Sequence, residues 1–216
     1  MYKLLFNIIL LSIILGKNEG IYAGEFVGSV ELKYEDSLSQ SHKIKLLKAL
    51  EYRDSDGINW IALEGTSVET EFLTHEFLSH KGFPHPTEYI KSHVIYSAQA
   101  EQASGNWKEA QKMLYSALLD EGNPLHIAGA IYAINAAYGW RWETREGSTC
   151  YIMCHSRSPT LKWKPVINEE ALLELVTWTL ADIPSLEEID EKAKDVILSP
   201  GPHIFAQVQP YKPSPR

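Results

Sequence analysis

Ile44-Lys45-Leu46-Leu47-Lys48-Ala49-Leu50 sets apolar residues at 44, 46, 47 and 50. Asp54-Ser55-Asp56-Gly57 stops the run, and Ile58-Asn59-Trp60-Ile61-Ala62 resumes it. The spacing fits one face of a helix, and an Asp/Ser/Gly cluster is the punctuation that ends one. Read as helix, turn and helix, this stretch begins a series that continues to Tyr138. Phe72, Leu73, Phe77 and Leu78 share a helical face, with Gly82 just beyond it. Pro84-His85-Pro86-Thr87 breaks the chain, and Thr87 is placed to cap a helix carrying Tyr89, Ile90, His93, Val94 and Ser97. Gly105-Asn106 precedes Ala110, Met113, Leu114, Ala117 and Leu118; Gly122-Asn123-Pro124 opens a helix through Ile127, Ala130, Ile131 and Ile134. The expectation is a mainly α fold of stacked antiparallel helical hairpins over residues 40–138, with a plain helical bundle fitting the same periodicity.

Outward from that region, residues 24–39 read as an extended lead-in and 139–166 as a long insertion. Residues 167–198 read as a terminal helical hairpin, in which Ser185 and Glu188 have capping-box spacing. Residues 199–216 form a tail with Pro200, Pro202, Pro210, Pro213 and Pro215, extended by composition. Residues 1–23 have the layout of a secretory signal. Lys3 precedes an apolar run from Leu4 to Leu15, interrupted only by Asn7 and Ser12, and Ala23-Gly24 offers a small-residue cleavage point. A buried N-terminal helix is the competing reading. The run is too short for a membrane span, which needs about 20 apolar residues. The expected location is secreted or periplasmic, with no stable membrane span after cleavage.

The chain has 20 Lys+Arg against 28 Asp+Glu, a net charge of −8, which argues against duplex nucleic acid as a partner. Hydrophobic residues at 44% and charged residues at 22% are ordinary for a globular chain and exclude wholesale disorder.

Asp56-Gly57-Ile58-Asn59-Trp60-Ile61-Ala62 resembles the start of the second helix in a HEAT-like repeat. Pro86-Thr87-Glu88-Tyr89-Ile90-Lys91 and Asn123-Pro124-Leu125-His126-Ile127-Ala128 resemble further copies. Their order is similar to that of the C-terminal helical-repeat tails of some secreted sulfatases, over about residues 45–138. The resemblance implies an α-solenoid in an accessory role and brings no catalytic residue with it. The sulfatase signature Cys/Ser-x-Pro-Ser-Arg is absent, because in Cys154-His155-Ser156-Arg157 the proline, Pro159, follows the arginine. Gly105-Asn106-Trp107-Lys108-Glu109-Ala110 resembles instead one helix of a tetratricopeptide repeat, a single copy without neighbours.

In the insertion, Trp140, Trp142, Tyr151 and Trp163 interleave with Arg141, Arg145, Arg157, Lys162 and Lys164. Trp140, Arg141, Trp142, Arg157 and Trp163 are the candidate binding residues: aromatic faces beside cations suit a sugar ring carrying carboxylate or sulfate. The competing reading is an aromatic cover over the end of the stack. Cys150 and Cys154 are the only cysteines, and in an exported chain a disulfide between them is expected. His75-Glu76 and His80 miss the H-E-x-x-H zinc pattern by one residue, His85 adds no shared helical face, and Cys150 to His155 is one residue too long for c-type haem attachment. A zinc site there would need a distant ligand such as His203. No metal, cofactor or catalytic residue is assigned. The function expected is that of a non-catalytic binding or scaffold protein that contacts a protein or an anionic glycan. Its alternatives are a detached accessory tail of a sulfatase-like hydrolase and a His-dependent hydrolase using His75, Glu76 or His155.

Overall fold

The computed structural model describes residues 24–35, 43–69, 83, 86–103, 105–144 and 160–199. Its N-terminal part is built of strands. β1 (Glu25–Val27) and β2 (Leu32–Glu35) form one edge, and β3 (Lys43–Leu46) and β4 (Leu50–Arg53) form the centre. β5 (Asn59–Ala62) and β6 (Ser67–Glu69) form the other edge. The ladders are antiparallel, in the orders β1-β4-β5 and β2-β3-β6. Since β3 leads into β4 and β5 into β6, the two small sheets are halves of one bent meander. At the bend the Leu46 N–H donates to the Thr66 carbonyl at 2.9 Å and the Leu47 N–H to the Glu31 carbonyl at 2.8 Å.

This overturns the mainly α, stacked-hairpin expectation: the fold is a mixed one of helices and small antiparallel sheets. The apolar set that fitted a helix also fits period two once it is split at a turn. Leu46, Leu50 and Tyr52 are fully buried, while Leu47, which a helical stripe would bury, is 44% exposed. Asp54 makes the following turn. Its carboxylate accepts from the backbone N–H groups of Asp56 at 3.0 Å and Ile58 at 2.9 Å, and from the Trp60 indole at 2.8 Å. Tyr52 then stands between Phe26 and Trp60 across the strands, its ring centroid 4.8 Å from that of Phe26. The stretch Asp56–Ala62 that resembles a repeat helix is thus a turn and a strand. The helix read around Phe72 to Leu78 lies outside the described residues, as do the signal segment and the proline tail.

Among the described residues five α-helices follow: α1 (Ile90–Gln102), α2 (Trp107–Asp120), α3 (Leu125–Tyr138), α4 (Glu169–Asp182) and α5 (Leu186–Val196). α3 is the axis, packed against α2, α4 and α5, and every residue from Ile127 to Ala137 is buried. A helix apolar on all sides is what such a central position requires. α1 joins this bundle to the sheet, and the Gln99 side chain donates to the Ile61 carbonyl at 3.1 Å. Thr87 sits in a 3-10 turn, Pro86–Tyr89, and α1 has no side-chain cap from its own N-cap residue, Tyr89. Asn106, Asn168 and Ser185 cap α2, α4 and α5, the last by a closed capping box with Glu188. The bonds from Ser185 hold the Glu188 carboxyl below the ordinary glutamate range. No helix among the described residues is long and apolar enough to cross a membrane.

The insertion is not a plain loop. Its ends pair as the antiparallel strands β7 (Arg141–Thr144) and β8 (Thr160–Trp163). A short ladder of β9 (Val166–Ile167) with β10 (Ile197–Ser199) ties the start of α4 to the end of α5.

Candidate functional site

Arg141 begins β7 three residues after the last turn of α3. The chain makes that transition at Gly139, where a Cβ would come within 2.8 Å of Gln111 Nε2 and 3.0 Å of Tyr96 Oη. Only a glycine lets the backbone pass so close. Arg141 is then folded back along the helix end, 8% exposed, with Nη2 donating to the Ala136 carbonyl at 3.0 Å. A cation at the carbonyl end of a helix is favourably placed. The guanidinium carbon lies 4.8 Å from the Trp107 ring centroid, in cation–π range.

One donor of this side chain is unused. Arg141 Nε is buried and has no hydrogen-bond partner among the described residues. Burial pulls the Arg141 pKa down from its ordinary value, and the neighbouring Tyr96 phenol partly offsets this. Tyr96 itself is held protonated above the ordinary tyrosine range by burial, although Gln111 and the Trp140 N–H approach it. Its hydroxyl has no well-aligned partner either. Buried polar groups left without partners are costly and uncommon.

Arg141 lines a pocket of about 340 Å³ between α2, α3 and α5. Trp107, Lys108 and Gln111 reach it from the first turns of α2. Tyr132 and Ala136 come from α3, and Asp190, Ala193 and Lys194 from α5. The floor is fixed by hydrogen bonds: Gln111 Nε2 donates to the Asn135 carbonyl at 2.7 Å, and the Tyr132 hydroxyl to Asp190 at 2.9 Å. Burial and the Asp190 carboxylate raise the Tyr132 pKa, so this phenol stays neutral. Lys108, Arg141 and Lys194 are the cations of the lining and Asp190 its carboxylate; Lys194 also pairs with Glu191 at the exposed surface.

The remaining aromatic-basic residues behave differently. Trp142 is 3% exposed, and its indole N–H donates to the Gly105 carbonyl at 3.0 Å, which holds the hairpin on the α1–α2 turn. Trp140 is half-buried beneath Lys162 and Lys164, whose ammonium groups lie 4.4 and 4.9 Å from its ring; Lys164 is also 4.9 Å from the Tyr138 ring. Trp163 is opposite Arg141 in the β7–β8 register. The structure therefore gathers Trp140, Arg141, Trp142 and Trp163 on one hairpin, but of these only Arg141 lines the pocket. Arg157, Cys150, Cys154, His155, His75, Glu76, His80, His85 and His203 lie outside the described residues. Among the described residues no three His, Cys, Asp or Glu side chains are grouped to hold a metal ion.

The sequence reading missed Trp107, Lys108, Gln111, Tyr132, Asp190 and Lys194. Their only linear signal is the i, i+4 spacing of Trp107 with Gln111 and of Asp190 with Lys194. Nothing in that spacing joins α2 to α5. No protein-family model, no curated protein and no solved structure matches this chain.

Proposed function

We propose that this is an exported binding protein whose pocket receives the acidic group of a sugar-sized ligand, a carboxylate or sulfate on a glycan. The observation that carries the reading is the Arg141 side chain. It is nine-tenths buried at the pocket wall, stacked on Trp107, with Nε unpartnered. Guanidinium donors of this kind match planar carboxylate and sulfate oxygens. The pocket volume of about 340 Å³ falls at the lower end of the range for small-molecule sites, enough for one ring. Export is supported by Lys3, the Leu4–Leu15 run and the Ala23-Gly24 step. Binding is favoured over catalysis because the one acid–phenol pair in the lining is closed on itself, Tyr132 to Asp190.

The test is calorimetric titration of the exported chain with a hexuronate oligosaccharide, a sulfated oligosaccharide and a neutral one. Binding of an acidic oligomer and not the neutral one is expected, weakened at least about tenfold by R141Q. Equal binding of neutral and acidic oligomers would overturn the reading. So would loss of binding in W140A with R141Q unaffected, which would move the site to the Trp140 face.

A further inference from the structure

Gly24 is packed against a part-buried hydrogen bond made far along the chain. The Tyr52 hydroxyl, on β4, donates to Asp120 Oδ2 at the end of α2 at 2.6 Å. A Cβ at position 24 would overlap both of these oxygens and lie 2.8 Å from Tyr52 Cε2. Any larger residue there would have to displace the Asp120 carboxylate and the Tyr52 ring; the backbone conformation makes no such demand. The same glycine follows Ala23 at the small-residue step read as the signal cleavage point.

These two facts have a joint chemical consequence. A backbone nitrogen is about 2.5 Å from the Cβ position of its own residue, so the Gly24 nitrogen is within about 5 Å of the Asp120 carboxylate. We propose that cleavage between Ala23 and Gly24 creates an α-ammonium group that pairs with Asp120, so that processing itself locks the β1 edge of the sheet to α2. Hydrolysis of this amide by a signal peptidase consumes one water. It leaves a carboxylate on Ala23 and an amine on Gly24, which takes a proton below its pKa. The uncleaved chain has only a neutral amide at that nitrogen and forms no such ion pair. An opposite charge within about 4–6 Å favours the charged form of an amine, so the Gly24 pKa rises above the ordinary 7.7–8.0. The sign for stability follows from linkage. The pair contributes fully below the unfolded value near pH 8 and is lost as pH rises through the higher folded value.

This inference rests on the export reading and is independent of the Arg141 pocket. The full gene is expressed with its own leader, and the exported product is sequenced from its N-terminus; Gly24 is expected first. The α-amine of that product is then titrated by NMR on 15N-glycine-labelled protein. A pKa raised by roughly one unit is expected, returning to the ordinary range in D120N. If D120N does not fold, Nα-acetylation of the wild-type product serves in its place and lowers the melting midpoint by about 2–4 °C at pH 7. A first residue other than Gly24, an α-amine titrating at 7.7–8.0 in the wild type, or an acetylated chain of unchanged midpoint each overturns the proposal. None of these outcomes alters the glycan titration, so the two readings fail separately.

Discussion

Glu121 caps the helix that Ser92 helps to begin. Its carboxylate, one residue past the end of α2, accepts from the Ser92 backbone N–H at 3.0 Å, from the Ser92 hydroxyl at 2.6 Å and from the Lys91 N–H at 3.1 Å. The donors that α1 leaves open at its N-terminus are satisfied from another helix. E121A is therefore expected to lose about 1–2 kcal/mol, as for loss of a strong helix cap, with E121Q losing less. Urea unfolding of the three proteins checks this; an unchanged midpoint in E121A would show that the cap contributes nothing.

The strand assignment of Lys43–Leu46 and Leu50–Arg53 separates two adjacent leucines. Leu46 is fully buried and Leu47 is 44% exposed. L46A is expected to cost about 2–4 kcal/mol and L47A under about 1 kcal/mol. Similar losses at both positions, measured by chemical denaturation, would instead favour a helical stripe.

That pair also shows why part of the fold was hidden in the sequence. Ile44, Leu46, Leu47 and Leu50 satisfy a helical period if the run is continuous and a strand period if it turns at Leu47–Ala49. Nothing local chooses between them. The choice is made by partners distant in sequence: the Glu31 and Thr66 carbonyls at the bend, and Phe26 beside Tyr52. The helices were easier to read. Asn106, Asn168 and Ser185 cap them locally, and their apolar residues recur over three or more turns. Arg141 was legible as a candidate because it lies between two tryptophans, but its pocket was not. Trp107, Tyr132 and Asp190 sit on three different helices, brought together only by packing around α3.

Four buried tyrosines, Tyr52, Tyr89, Tyr96 and Tyr132, make stability depend on alkaline pH. Burial, with the Asp120 and Asp190 carboxylates as further causes, raises the pKa values of Tyr52 and Tyr132 far above the ordinary value of 10. Burial, with Glu88, pushes Tyr89 up to about 12. A phenol whose folded pKa is raised contributes stability that is complete below about pH 10 and is lost as pH climbs toward the folded values. Urea midpoints are expected to be flat in this respect up to about pH 9 and to fall above pH 10, with a shallower fall in Y52F and Y132F. An equal fall in both variants and the wild type would assign the alkaline loss to other groups.

The buried Nε of Arg141 gives the most direct test of the proposed binding site. The Nε–H of Arg141, assigned by its disappearance in R141Q, is followed by NMR while a hexuronate or sulfated oligosaccharide is added. The account predicts that this one resonance shifts and saturates as the acidic ligand engages the guanidinium, and stays in place with the neutral oligosaccharide. A resonance unmoved by either acidic ligand, while those ligands bind elsewhere on the protein, would contradict it.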